Sequence, residues 1–154
     1  MARKALARAA AAPVDPEELR QRLRTAGLRS TAPRVAVLNH LEQIVQPASH
    51  AEIVDALAPL GFDRATVYRN LMDLTEAGLV TRTDLGDHVW RFELKRKTDS
   101  HAIAHPHFVC VDCGTVACLP GGSIRIMPAQ GMPRSVGAKA IEVQVKGRCD
   151  RCAV

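Results

Sequence analysis

The chain has 154 residues, of which 47% are hydrophobic and 3% aromatic, and this length allows one ordinary domain or two small ones. With so few aromatic side chains, each small core depends on aliphatic packing, which favours domains stabilised by a metal or a partner chain. No run of roughly 18 apolar residues occurs, so no membrane span is predicted, and the basic, alanine-rich residues 1–14 lack the long apolar core of a secretory signal. We therefore expect a cytoplasmic protein, in which paired cysteines more often bind metal than form disulfides.

The formal net charge of +5 is unevenly distributed. Residues 1–94 carry 12 Lys and Arg against 12 Asp and Glu, whereas residues 95–154 carry 9 against 4. Cysteine thiolates that bind zinc would reduce the positive charge of the second half further. Bulk charge therefore does not establish nucleic-acid binding, which must be judged from the placement of individual side chains.

Four helices are predicted in the first half, before any strand. Each begins at a side chain that can cap it: Asp15, Thr31, Ser49 and Asp63. Proline in the first turn supports the first two, and a glutamate three residues after Ser49 completes a capping box for the third. The predicted stops are glycines or a proline: Gly27, Pro47, Gly61 and Gly78.

The periodicity changes after Leu79. The sequence VTRTDLGDHVWRFEL predicts two strands around a turn at Leu85-Gly86-Asp87, with Trp90, Phe92 and Leu94 alternating on one side. A β-hairpin that follows a helical bundle indicates a winged helix.

Four segments are predicted in total, and the fold class is α+β. A basic N-terminal extension covers residues 1–14, a winged helix-turn-helix domain residues 15–94, and a hinge residues 95–104. Residues 105–154 form a small α/β or mainly β domain, in which residues 120–137 are too rich in glycine and proline for a regular helix.

The second domain contains two CxxC pairs separated by 35 residues. They are Cys110 with Cys113 and Cys149 with Cys152. Two such pairs complete a closed tetrahedral site, which is typical of structural zinc, and the long spacing requires another strand between them. A redox disulfide is the alternative, but a thioredoxin-type CxxC opens a helix, whereas Cys110 ends an extended run. We expect this zinc to contribute to folding.

Two histidines precede the first cysteine pair. If this stretch is a strand, His105 and His107 share one face and Cys110 points to the other, so histidines and cysteine pair serve different sites. Cys118, outside both pairs, is an available soft ligand for the histidine site. Histidines in such pairs are also often simple surface or hydrogen-bonded residues. His88 and His101 are undecided, and His40 and His50 are expected to be ordinary helix residues.

The fourth helix has the features of a DNA-reading helix. Val67, Leu71 and Leu74 are predicted to face the core, which turns Ala65, Arg69 and Met72 outward. Near its start the helix offers side chains suited to phosphates and guanine edges: Arg64, Thr66 and Arg69. A solvated helix face that happens to hold two arginines is the alternative, but the order of helices and hairpin favours DNA binding.

Placed together, these segments resemble the ferric uptake regulator family of metal-sensing bacterial repressors, with the zinc uptake regulators as one branch. The matching stretches span about residues 15–152: AGLRSTAPR at 26–34, ATVYRNL at 65–71, RFEL at 91–94, HPHFVCVDCG at 105–114 and CDRC at 149–152. The resemblance implies a homodimer that is joined through the β-rich domains and binds double-stranded DNA. The two-fold symmetry of such a dimer predicts a palindromic operator.

The resemblance also implies roles for individual residues. The two cysteine pairs match the structural zinc ligands, and Glu93, His105 and His107 match the regulatory ligands. Cys118 falls where family members often have a carboxylate. Tyr68 and Arg69 match residues that meet bases, and Arg24 lies near a minor-groove cation of the family.

Two departures from the family affect the regulatory site. Gln46-Pro47 stands where many members have a histidine ligand, so His88 or His101 is the candidate substitute. Further His and Glu ligands expected near the last strand are absent, which predicts one regulatory site and not two.

We therefore predict a metal-dependent repressor in which the ion ties Glu93 to the ligands of the second domain and favours the DNA-binding arrangement. A thiolate, two imidazoles and a carboxylate suit zinc better than iron(II) or manganese(II). An iron-, manganese- or peroxide-responsive repressor is the alternative. A zinc enzyme is disfavoured because HExxH and an obvious general base are absent, and a zinc-stapled protein adaptor would leave DNA affinity unchanged in Arg69→Ala.

Overall fold

The computed structural model describes residues 14–44, 46–95, 106–119, 123–127, 129–137, 141 and 143–153. The chain divides into two compact units, residues 1–96 and residues 97–154. Within these described ranges, no helix is long and apolar enough to cross a membrane.

Within residues 14–44 and 46–95, four α-helices build the first unit. They are α1 (Pro16–Thr25), α2 (Ala32–Gln43), α3 (His50–Leu57), which continues into a 3-10 turn (Ala58–Leu60), and α4 (Arg64–Glu76). Three predicted caps are confirmed. Asp15 accepts from the Glu17 amide, Ser49 and Glu52 form the capping box, and Asp63 accepts from the Thr66 amide.

Helix α2 begins where it was predicted, with proline in its first turn, but ends earlier than predicted. Thr31 lies at the N-cap position but makes no side-chain cap bond. The helix ends at Gln43, before the predicted stop at Pro47, because Ile44 is already extended with φ −93° and ψ 144°. The chain after Ile44 leads into a strand, which the sequence did not reveal.

A three-stranded antiparallel sheet completes the first unit. Its strands are β1 (Ala48–Ser49), β2 (Val80–Asp84) and β3 (Trp90–Leu94), in the order β1-β3-β2. The hairpin of β2 and β3 confirms the predicted wing, whereas the expectation that four helices precede any strand was wrong. Two residues are too few to show the alternation by which a strand is recognised.

The core of the first unit lies between the helices and the inner face of the wing. Its buried members are Leu19, Leu23, Val37, Leu38, Leu41, Ile53, Leu57, Val67, Leu71, Leu74, Val80, Phe92 and Leu94. One prediction at its margin was wrong: Met72, predicted to face outward, is half-buried against this core. Trp90 keeps the predicted alternation with Phe92 and Leu94. It is nevertheless 48% exposed and stacks on the Arg82 guanidinium, 4.0 Å from the ring centroid.

The second unit is built on a smaller sheet. Strands β4 (His107–Cys110), β5 (Val116–Cys118) and β6 (Gln144–Gly147) lie in the order β5-β4-β6. Strand β5 runs antiparallel to β4, and β6 runs parallel to it. A single-turn helix, α5 (Arg134–Gly137), falls in the glycine- and proline-rich segment. Among the described residues of the second unit, the buried hydrophobic side chains are Cys110 and Val116.

Candidate metal centres and nucleic-acid interface

Both CxxC pairs lie at the same edge of the second sheet. Cys110 ends β4, and the second pair follows the end of β6; since β4 and β6 are parallel, their carboxyl ends are adjacent. Gly114, with φ +67°, turns the chain from the first pair into β5. The four sulfurs of Cys110, Cys113, Cys149 and Cys152 consequently lie within 4.8 Å of one another.

The spacing of these sulfurs suits a tetrahedral ion. Zn–S bonds of about 2.3 Å place two tetrahedral sulfurs about 3.8 Å apart. The Sγ atoms of Cys113 and Cys149 are separated by 3.7 Å. All four cysteines are free thiols, and together they form one four-thiol cluster.

Hydrogen bonds shift the pKa values of two of the four thiols in opposite directions. The Thr115 hydroxyl lies 3.1 Å from Cys113 Sγ and is the main cause that lowers the pKa of Cys113 to about 6. In contrast, the neighbouring thiols, Cys149 above all, raise the pKa of Cys152 to about 12. Four sulfurs this close cannot all ionise without a compensating cation, and a divalent metal would supply that charge.

Thr115 also links the cysteine cluster to a positively charged side chain, Arg151. Arg151, between the two cysteines of the second pair, donates from Nη2 to Thr115 Oγ1 at 3.2 Å. Cys110 Sγ accepts a bond from the Cys149 backbone N–H at 3.4 Å. Such bonds orient thiolate ligands and stabilise their charge.

A second group of potential ligands lies on the other face of β4. His107 pairs directly with Cys118 of β5, so both side chains project from the same face of the sheet. Their ligand atoms are within 4.8 Å of each other, and His107 is 1% exposed. Cys110, three residues after His107, projects from the opposite face.

The other predicted regulatory ligands lie either in the first unit or outside the described residues. Glu93 is half-buried in β3 of the first unit, opposite Thr81. His88 lies in the wing turn with φ 58°, where its Nδ1 is 3.8 Å from Asp84 Oδ2 and its side chain is 97% exposed. His101 and His105 lie outside the described residues.

The start of helix α4 presents the predicted DNA-binding residues. Arg64 and Arg69 are exposed, and Tyr68 is 45% exposed. Thr66 is half-buried, and its hydroxyl donates to Asp63 Oδ2 at 2.6 Å, so it belongs to the helix cap as well.

On helix α1, the Arg24 side chain is exposed and already makes hydrogen bonds within the helix. Its Nη2 donates to Glu17 Oε1 at 2.5 Å and to Gln21 Oε1 at 3.0 Å. The bond from Arg24 is the main cause that lowers the pKa of Glu17. A phosphate or base that recruits Arg24 would have to replace these surface contacts, which are weak in water.

His50 of α3 contacts the start of α4, which the sequence did not reveal. The sequence placed it as an ordinary residue behind a capping serine. In the structure its Nε2 lies 2.9 Å from the Arg64 carbonyl oxygen, and its ring meets that of Tyr68 edge-on, with centroids 5.4 Å apart and planes at 73°. No local pattern signals a contact between residues 14 and 18 positions apart in different helices.

The sequence of this chain is similar to known ferric uptake regulators. The family model of the ferric uptake regulator family matches residues 25–146. The ferric uptake regulation protein of Vibrio anguillarum is 41% identical over 99 residues, which are 62% of this chain and 63% of that relative. The chain thus matches less than two thirds of that relative's length.

Solved structures show the same fold. The ferric uptake regulator of Vibrio cholerae aligns with a TM-score of 0.64 and 32% identity, over 84% of this chain and 98% of that one. A zinc uptake regulator complexed with zinc and DNA shares the fold, with a TM-score of 0.56, 22% identity and coverage of 91% and 96%. The chain belongs to the ferric uptake regulator family.

Proposed function

We propose that this chain is a metal-dependent, DNA-binding transcriptional repressor that responds to zinc. It acts in the cytoplasm as a homodimer on a palindromic operator, and no catalytic role is assigned to it. The observation that carries the zinc assignment is the pairing of His107 with Cys118 on one face of adjacent strands, with their ligand atoms within 4.8 Å.

One zinc ion is structural in this proposal. Cys110, Cys113, Cys149 and Cys152 would hold it in a closed set of four thiolates, which leaves no position for substrate or water. The 3.7 Å separation of two of their sulfurs and the convergence of all four within 4.8 Å support a cation there.

The regulatory ion would be held by a different set. We assign to it Glu93, His105, His107 and Cys118, with His88 or His101 as a candidate fifth ligand. Zinc accepts a soft thiolate together with imidazoles in four-coordinate sites, whereas iron(II) and manganese(II) favour more oxygen ligands. When bound, the ion would supply the positive charge that offsets the Cys118 thiolate and the Glu93 carboxylate. Because Glu93 belongs to the winged helix, its recruitment would favour one arrangement of the DNA-reading heads.

DNA recognition is assigned to helix α4. Tyr68 and Arg69, with Arg64 and Thr66 near the helix start, would enter the major groove, while Arg24 meets the DNA from α1. The exposure of Arg64, Tyr68 and Arg69 supports this assignment. Two such heads in a two-fold symmetric dimer would read a palindrome.

An iron-responsive repressor is the second candidate. It is favoured by the relative from Vibrio anguillarum, which is 41% identical and bears the name ferric uptake regulation protein. The ligand chemistry and the relative thus favour different metals, and a direct competition between ions distinguishes them.

The test is DNA binding at buffered concentrations of free metal. A duplex is first selected from a randomised pool by the metal-loaded protein, and its affinity is then measured in zinc, iron(II) and manganese(II). We expect zinc to raise the affinity at the lowest free concentration. Activation by iron(II) at levels where zinc is inert would replace the zinc proposal with the iron one.

A ligand variant makes the same test residue-specific. Cys118→Ser should retain one zinc per chain at the four-cysteine site and lose zinc-dependent DNA binding. Ala117→Ser is the matched control, since it introduces the same hydroxyl at the neighbouring position on the opposite face of β5. Unchanged zinc dependence in Cys118→Ser would remove Cys118 from the regulatory set.

A further inference from the structure

The start of helix α3 is fixed by two independent sets of contacts. Ser49 pairs with Arg91 of the wing as part of β1. The same residue caps α3, with its hydroxyl accepting from the Glu52 amide while the Glu52 carboxylate accepts from the Ser49 amide. His50, the first residue of α3, therefore extends from a backbone that is held by both the sheet and the cap.

From this position His50 reaches the beginning of the DNA-reading helix. A carbonyl oxygen can only accept, so His50 Nε2 carries the hydrogen and donates it to the Arg64 oxygen at 2.9 Å. The same imidazole meets the Tyr68 ring edge-on at 5.4 Å. One side chain thus contacts both ends of the first turn of α4.

These contacts are not required to cap either helix. Ser49 and Glu52 already satisfy the start of α3, and Asp63 caps α4 through the Thr66 amide. The Arg64 carbonyl is in addition the acceptor that helical geometry assigns to the Tyr68 N–H. What His50 adds is a restraint on the direction of the Tyr68 ring.

We propose that His50 is a positioning residue for DNA recognition, which holds the Tyr68 ring and the first turn of α4 in the orientation that meets the bases. The proposal rests on the DNA-binding function assigned above. Tyr68 is 45% exposed, and an exposed ring loses rotational freedom when it binds. A side chain that restricts the ring beforehand reduces that cost.

The contact also links the wing to the recognition helix. Strand β3 pairs with β1, β1 leads directly into His50, and His50 contacts Arg64 and Tyr68. A change of the wing that displaces β1 would therefore be transmitted to the residue assigned to base contact.

The experiment compares three substitutions of His50 in the full-length, metal-loaded protein. His50→Ala removes both contacts, His50→Phe keeps a ring beside Tyr68, and His50→Gln keeps a donor for the Arg64 carbonyl. Each is tested on the duplex selected by the wild type and on a scrambled duplex of the same composition, and thermal unfolding is recorded in parallel.

We expect His50→Ala to weaken binding of the selected duplex about fivefold, because the Tyr68 ring would then be ordered only on binding. Binding of the scrambled duplex should change little. The unfolding temperature should fall only slightly, by the effect of the lost hydrogen bond and ring contact, because helix capping is intact. His50→Phe and His50→Gln should each recover part of the affinity. In a Tyr68→Ala background, His50→Ala should have less than about half of its effect on affinity.

The possible failures are distinguishable. If the wild type selects no sequence, the proposed function fails and the role of His50 fails with it. If the wild type selects a sequence that His50→Ala binds equally well, only the role of His50 is refuted. Equal losses on both duplexes, or an unreduced loss in the Tyr68→Ala background, would show that His50 does not act through Tyr68. If His50→Ala fails to fold, the Phe and Gln variants decide by the same criteria.

Discussion

Asp87 and Arg91 form an ion pair that closes the turn of the wing. Both guanidinium Nη atoms of Arg91 donate to the carboxylate, at 2.8 and 2.7 Å. The bond from Arg91 is the main cause that lowers the pKa of Asp87 to about 2, and the pair raises the pKa of Arg91. A bidentate ion pair of this kind restricts the turn more than a single hydrogen bond at the surface does.

The ion pair predicts how the stability of the wing depends on pH. A carboxylate with a lowered folded-state pKa stabilises the fold above its ordinary pKa, and the contribution is lost as the pH falls through about 2. Because the Asp87 side chain is 43% exposed, we expect Asp87→Asn to reduce the free energy of unfolding by only about 0.5–1 kcal/mol at pH 7. The difference from the wild type should shrink as the pH falls from about 4 to 2.

Trp90, the chain's single tryptophan, provides the measurement. It lies in β3, directly opposite Asp84 at the base of the wing turn, so its fluorescence in urea reports unfolding of the first unit. Asp55→Asn is the charge-matched control, since Asp55 is exposed on α3. A difference for Asp87→Asn that is the same at pH 7 and at pH 2 would contradict an origin in the ionised pair.

Among the elements, helix α3 begins with a reciprocal capping box. Ser49 both accepts from the Glu52 amide and stands in β1. We expect Ser49→Ala to lower the free energy of unfolding by about 1 kcal/mol, since the cap bond is lost while the backbone pairing of β1 remains. Thr31→Ala is the matched control, because Thr31 occupies the same position before α2 without a side-chain cap bond. Equal effects of the two substitutions in urea unfolding would show that the capping box contributes nothing.

The elements also show which features were predictable from sequence. Helices were found because caps, stops and apolar spacing act within a few residues, as at Asp15, Ser49 and Asp63. Strand β1 was missed because its two residues are defined by Phe92 and Arg91, more than forty positions away. Trp90 follows the alternation of its strand and is still half exposed, because alternation predicts a face but not how far the core extends along it.

At the scale of the whole chain, the sequence identified which residues can bind metal, but it did not show how the fold brings them together. Spacing identified the two cysteine pairs, but their meeting depends on β6 lying parallel to β4, which is a long-range pairing. Cys118 was recognised as a soft ligand, whereas its place beside His107 depends on the register of β5. The turn at Gly114 sets that register, and a shift by one residue would move Cys118 to the other face.

The two units differ in what stabilises them, and this predicts the effect of metal removal. In the described part of the first unit, thirteen buried side chains form a continuous core. Among the described residues of the second unit, the buried hydrophobic ones are Cys110 and Val116. A core this small is not expected to fold without the binding energy of a metal. A strong chelator under reducing conditions should therefore unfold the second unit and leave the first intact.

Amide hydrogen exchange, read segment by segment, would measure this difference. Removal of the metal should abolish protection in β4, β5 and β6, while the centre of α4 and the Trp90 fluorescence remain as before. Cys113→Ser should reproduce the effect without chelator, and Cys118→Ser should not, since it lies outside the four-cysteine set. Protection of β4 and β6 that persists in the metal-free chain would mean that the sheet folds on its own. The four cysteines would then bind an ion that the fold does not need, because the strands would already hold both pairs at one edge.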